Sequence, residues 1–297
     1  MVNMSAVRSQ FTTQVLQPSS KSRNLVVWSA ILLSLLALLY GSVLRLLVFQ
    51  WWKDPNYGHG FFVPLFSGYI LWHQRERWMK SEIKPSNFGF LVMLGAVGLL
   101  FIGSLGAELF TSRFSLLVLI AGIILFLAGW KMLRAVAFPL AFLVFMIPIP
   151  VIIYNQITFP LQLIASRLAT FWLEVVQVPV LRDGNVLILS NLSLEVAEAC
   201  SGIRSLMSLI ALAVAYGHLA EPRRWVRYAL VVLMVPSAIV TNAMRIMGAG
   251  VLAHKFGPQA AEGFLHQFSG WVVFLATLVL IFVCHWILRH TAKGNGR

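Results

Sequence analysis

Cys200 stands in the stretch VAEACSGIRSL, with Glu198 two residues before it and Gly202 and Arg204 just after. A cysteine attacks as its thiolate, and a free thiol with a pKa of about 8.5 is mostly protonated at neutral pH. Two features of the stretch favour the thiolate. The apolar run that follows reads as a helix, and a helix N-terminus presents unpaired N–H groups and partial positive charge. Arg204 lies four residues on, on the same helix face. It is placed either to support the thiolate or to pair with Glu198 or Glu195. Glu198 would raise the thiol pKa if it faced inward, so it is expected to turn toward Arg204 or another cation. Gly202 leaves room for the backbone of a substrate.

A thiolate nucleophile needs one group to move protons and another to hold developing negative charge. Arg245, in VTNAMRIMG, is a permanent cation with several donors. His266, in FLHQFSGWVVF, can take the thiol proton and return it to a leaving amine. His254, in LAHKFG, competes for that role, and His59, in NYGHGFF, is a further candidate for the same pocket. Each residue also has a reading without chemistry. Cys200 can be a small packing residue, Arg245 a snorkelling interfacial arginine, and the histidines interfacial polar groups. Cys284, among Phe282, Val283 and Trp286, reads as packing. The two cysteines fall toward opposite ends of their helices, which argues against a disulfide. The seven histidines are scattered, so neither a metal site nor a cofactor is expected.

The elements that must position these groups are membrane spans. The chain has 297 residues, 59% hydrophobic and only 11% charged, against about a quarter charged in a soluble domain. Apolar runs of about 18 residues recur, the length that crosses roughly 30 Å of hydrocarbon. The expected fold class is an all-α polytopic membrane protein embedded in a lipid bilayer. Eight spans are expected, at residues 25–48, 57–73, 87–107, 114–130, 132–153, 202–220, 225–244 and 268–288. The fifth ends in FMIPIPVII, where Pro148 and Pro150 stop a helix. Between the fifth and sixth, ITFPLQLIASRLATFWLEVVQV has helical spacing and reads as a small amphipathic helix on the outer side, either interfacial or packed against the bundle. The period then changes, and a β-hairpin with turns at Asp183-Gly184 and Ser190-Asn191 is expected to lead to Cys200.

Orientation follows from the distribution of positive charge. With a cytoplasmic N-terminus, the inner segments hold 15 of the 23 lysines and arginines. Both termini are then cytoplasmic, with tails at 1–24 and 289–297 around a single transmembrane domain at 25–288. The net charge of +13 is therefore topological, and no nucleic-acid partner is implied. Cys200, Arg245 and His266 all fall at the outer face.

Three stretches, VAEACSGIRSL, VPSAIVTNAMRIMGAGVLAHKFG and EGFLHQFSGWVVF, resemble the motifs of the exosortases, and NYGHGFFVPLFSGYILW resembles an early motif of the same family. The likeness covers roughly residues 26–288. It implies an integral-membrane cysteine transpeptidase or protease of the bacterial inner membrane. Its site would be Cys200, Arg245 and His266 at the periplasmic face, with Asn242 of the N-x-x-R pattern in support. His266 is preferred to His254 because it precedes Gly270-Trp271. An acidic residue often precedes this histidine in the family, whereas here Leu265 does, with Glu262 four residues before it. The implied partners are membrane-anchored secreted proteins with a PEP-CTERM tail, meaning a short Pro-Glu-Pro motif, a transmembrane helix and a basic end. The family is associated with exopolysaccharide loci, and the alternative is a polytopic export component without covalent catalysis. A transporter would more often carry inverted repeats and polar groups at the midplane.

Overall fold

The computed structural model describes residues 20–190, 192–195, 202–261 and 264–294. Contacts divide the chain into a unit at Met1–Leu47 and a unit at Val48–Arg297. The first holds most of helix α1 (Ser20–Lys53), and the second holds every later element.

The chain is helical nearly throughout, as lipid-exposed backbone must be, because hydrocarbon offers no hydrogen bonds. After α1 comes a 3-10 turn, Pro55–Phe61, and then α2 (Phe62–His73) and the short α3 (Arg75–Met79). Next are α4 (Phe88–Leu105), α5 (Leu109–Phe142) and α6 (Val151–Val175). A small sheet of β1 (Val180–Asp183), β2 (Val186–Leu189) and β3 (Ser193–Glu195) comes after α6. The chain ends in α7 (Gly202–Ala220), α8 (Arg224–Phe256), α9 (Pro258–Ala261) and α10 (Phe264–Gly294). Among the described residues, four helices are long and apolar enough to cross a membrane, and Met207–Ala220 and Leu275–His290 form shorter apolar stretches. The protein is an all-α polytopic membrane protein with one small sheet.

The structure departs from the expected boundaries in five respects. The run at 57–73 is a 3-10 turn plus a helix of 12 residues. No loop separates the expected spans at 114–130 and 132–153. They meet at a break in the helix at Gly129, and the second runs past the end of α5 at Phe142, through a 3-10 turn at Leu143–Met146, to the start of α6. The outer-side helix is a full 25 residues, Val151–Val175, and packs against α8, and the hairpin is a three-stranded antiparallel meander. Its extra strand pairs Val180 with Leu189 and Asp183 with Val186, around a turn with Gly184 at φ 59°. Finally, α8 runs twelve residues past 244, to Phe256.

Two close contacts set the packing of α4 and α5. The helices touch backbone to backbone at Gly89, where any Cβ would overlap the main chain of Phe126. Small residues at such contacts replace the hydrophobic drive that lipid does not supply. At the break in α5, Gly129 has φ 84° and ψ −176°, a combination open essentially to glycine alone. A Cβ there would run into the carbonyl of Lys84. The segment before α4 is held over the break, with the amides of Lys84 and Ser86 donating to the carbonyls of Ala128 and Leu125.

The ends of α7 and α10 are fastened by a buried polar chain. Tyr216 Oη lies 2.7 Å from His285 Nδ1, and His285 Nε2 lies 3.0 Å from Glu221 Oε2. Glu221 is 3% exposed and His285 6%. Glu221 Oε1 also accepts from the amide of Arg223, and Arg227 Nε donates to the Glu221 carbonyl. Burial would raise the Glu221 carboxyl, but the bonds from His285 and the Arg223 amide outweigh it and hold it below its ordinary value.

Both features can be tested by substitution. Gly129→Ala is expected to cost about 3 kcal/mol, from the strained φ/ψ and the overlap together. Gly95→Ala, whose added Cβ meets open space, should leave the thermal midpoint in detergent unchanged or slightly raised. Glu221→Gln is expected to cost about 2 kcal/mol at neutral pH. A depressed carboxyl stabilises fully above its unfolded value, near 4.5, and that stability is lost as pH falls through the folded value. The variant should therefore also lose this acid limb from a plot of midpoint against pH.

Candidate functional site

Helix α8 is the common wall of the site. It packs against α6, α7 and α10, and α7 and α10 also touch each other. Its register against each neighbour can be read from particular contacts. Gly217 of α7 lies beside Arg227 of α8, where an added Cβ would be 3.6 Å from the Arg227 Cα. At a rise of about 1.5 Å per residue in two antiparallel helices, Gly202, the first residue of α7, comes level with Asn242. Arg245 lies one turn beyond. On the other side, Thr241 Oγ1 and Thr277 Oγ1 are 3.1 Å apart and tie α8 to α10. A cluster of Leu209, Ala213, Met234 and Ile281 fills the space among the three helices.

The sheet is anchored to the same part of α8. Leu173, Val178, Leu187, Leu189 and Ile246 form one buried cluster, with Leu194 of β3 packed against it. Gly250, one turn past Ile246, leaves the space that Leu173 and Leu189 fill. So the described residues on either side of the Cys200 segment are both held to α8, β3 beside Ile246 and Gly202 level with Asn242. Ile246 is the residue next to Arg245.

Cys200 and Glu198 lie outside the described residues, and so does Glu262. Arg204 is in the first turn of α7 and His266 in the first turn of α10, and for both only the backbone is described. Arg245 is half-buried in the interior of α8, eleven residues before its end, rather than at the mouth of a span. In the sequence, Gly248 and Gly250 look like a helix terminus just past it. Gly250 instead lets the sheet approach, and Gly257, at φ 87°, ends the helix. Counting outward from the Thr241–Thr277 pair, the backbone of His266 lies about 10 Å farther along the axis than that of Arg245. The two share an end of the bundle but not a depth. Asn242 is 6% exposed, and its Oδ1 has no hydrogen-bond partner. His254, in the last turn of α8, is exposed.

His59 sits half-buried in the 55–61 turn. Gln74 Nε2, just past the end of α2, is 2.8 Å from Nε2 of His218, near the end of α7. The turn, at the opposite end of α2, packs on α7 and so lies toward its N-terminal end. Within electrostatic range of Tyr57 in this turn is a residue that the sequence alone does not mark out. Arg113, near the start of α5, is 2% exposed. Its only sequence signal is a cation at the edge of an apolar run, which by itself describes any interfacial arginine. Among the described residues there is no group of three or more His, Cys, Asp or Glu suited to a metal ion.

A family model described as transmembrane exosortase matches residues 51–283. No curated protein and no solved structure matches the chain.

The α8–α10 register is open to direct measurement. In a double-mutant cycle of Thr241→Val and Thr277→Val, the two changes are expected to couple by about 0.6 kcal/mol, the average for an interhelical side-chain bond in a membrane. Strict additivity in unfolding from detergent would place the two hydroxyls apart.

Proposed function

The chain belongs to the transmembrane exosortase family, and from that premise we propose that it is a cysteine transpeptidase cutting the PEP-CTERM tail of secreted proteins. Cys200 is the nucleophile, His266 the proton carrier and Arg245 the fixed cation. The observation that carries the reading is the convergence on α8. The helix that follows Cys200, the helix bearing Arg245 and the helix opening with His266 pack on one another, and β3 joins them beside Ile246. Asn242, buried with an open acceptor at the same level, is available to the site.

In this reading the Cys200 thiol gives its proton to His266, and the thiolate adds to the carbonyl carbon of the scissile peptide. Arg245 holds the negative charge of the thiolate and of the tetrahedral oxyanion. The C–N bond then breaks, His266 returns its proton to the leaving amine, and the substrate remains as a thioester on Cys200. An acceptor nucleophile, water or an amine, attacks the thioester and regenerates the thiol. His266 begins farther along the axis than Arg245, so the two flank the scissile bond from different depths. The substrate arrives anchored by its own helix, so its cleavage point lies near the membrane surface, as a site at one end of a bundle requires. The protein resides in the bacterial inner membrane with both termini cytoplasmic and the site at the periplasmic face.

Cys200→Ala is expected to leave a tagged substrate at its uncleaved size on a gel, while the variant inserts and folds as the parent does. An impermeant maleimide applied from the periplasmic side should label Cys200. Normal processing by the variant, or labelling from the cytoplasm alone, overturns the proposal.

A further inference from the structure

Arg113 is a buried cation with an incomplete set of partners. Its Nη1 donates to Gln50 Oε1 at 2.8 Å, while Nε and Nη2 are both buried and have no hydrogen-bond partner. These two nitrogens form one edge of the guanidinium, the edge whose parallel N–H groups meet the two oxygens of a carboxylate side-on. A buried guanidinium with that edge unpaired is costly, because its lost hydration is not replaced. The nearby acid does not fill it. Glu108 caps α5, accepting at Oε1 from the Phe110 amide at 3.0 Å and at Oε2 from the Thr111 amide at 2.5 Å.

The surroundings favour an anion of a particular kind. Tyr57, in the turn that packs toward the start of α7, lies within electrostatic range of Arg113, Tyr154 and Asp54. The open guanidinium edge, with the Tyr57 phenol within electrostatic range, suits an acceptor group. Glu108, whose charge reaches Arg113, opposes a second negative charge, which disfavours a phosphate dianion. The enclosure of Arg113 suits a small planar group rather than a lipid headgroup with its glycerol and acyl chains.

We propose that Arg113 is a substrate-binding residue whose Nε/Nη2 edge takes the carboxylate of an acidic side chain in the substrate tail, bidentately, beside the 55–61 turn. This subsite rests on the peptide-processing role proposed for Cys200 and adds to it a specificity determinant for acid in the substrate.

The test uses the full chain in liposomes, with two tagged substrates that differ only by Glu or Gln at the acidic position of the tail. The parent is expected to cleave the Glu substrate with a kcat/KM at least about tenfold higher than the Gln substrate. Arg113→Gln should bring the Glu substrate down to the level of the Gln one, and Arg113→Lys, which keeps the charge but not the paired edge, should fall between. Thermal midpoints of the two variants report folding separately. A Glu preference that survives in Arg113→Gln, or an equal fall for both substrates, overturns the proposal. So does a preference that persists while the response of the parent to phosphatidylglycerol vesicles disappears in the variant, since the guanidinium would then serve a lipid phosphate. Binding of the same two tails to Cys200→Ala, with and without Arg113→Gln, separates the two readings. If the parent cleaves neither substrate, the processing reading fails, and the subsite still stands or falls on whether binding prefers Glu through Arg113.

Discussion

Everything at the candidate site depends on α8 staying helical from Arg224 to Phe256. The helix carries Pro236 in its interior and Gly248 and Gly250 near its far end, residues that usually weaken or end a helix. It persists because three neighbours hold it. In hydrocarbon no hydrophobic force drives helices together, so association rests on close packing and on polar contacts between helices. Helix α8 has both: Gly250 against Leu173 and Leu189, Thr241 against Thr277, and Ile246 sealed in the cluster with the sheet. Were the helix to end at 244, Arg245 would have no fixed depth and β3 no anchor.

The polar chain of Tyr216, His285 and Glu221 acts at the other ends of α7 and α10. A helix fixed at one end can still slide or rotate at the other. Here the Thr241–Thr277 bond and the cluster around Met234 fix the middle, and Glu221 with His285 fixes the far end. The start of each helix is then set by rigid-body geometry rather than by local loops. A site built on helices in this way is held more closely than one built on loops.

Much of this was legible in the sequence. Long apolar runs predict spans because the bilayer thickness sets their length, and α4, the middle of α8 and most of α10 lie where those runs lie. The change of period before Cys200 predicts strands at 186–189 and after, and β2 and β3 are there. What composition could not show was continuity. The spans expected at 114–130 and 132–153 meet with no loop, at a break made by Gly129 alone, and Gly250 does not end a helix although the expected span stops at 244. In each case the outcome is decided by a partner distant in sequence, the Lys84 carbonyl for one and Leu173 for the other. Arg113 was illegible for the same reason. Whether a cation at the edge of a span snorkels into water or is enclosed depends on Gln50, 63 residues away.

Two cations of one end of the bundle therefore do different physical work. Arg245 is half-buried, on a helix that packs against α7 and the sheet cluster. Arg113 is enclosed and held by one amide at a single nitrogen, so its unfilled edge is fixed in direction. A fixed edge costs stability while unpaired and returns it when an acceptor arrives. That exchange is how binding energy gained away from a scissile bond is made available at it. The acid–histidine chain at the Glu221 end has no such open edge, since both ring nitrogens of His285 are engaged and the Glu221 carboxylate is bonded at both oxygens. The Tyr216–His285–Glu221 chain is thus satisfied within the protein, whereas the Nε/Nη2 edge of Arg113 is left short of an acceptor.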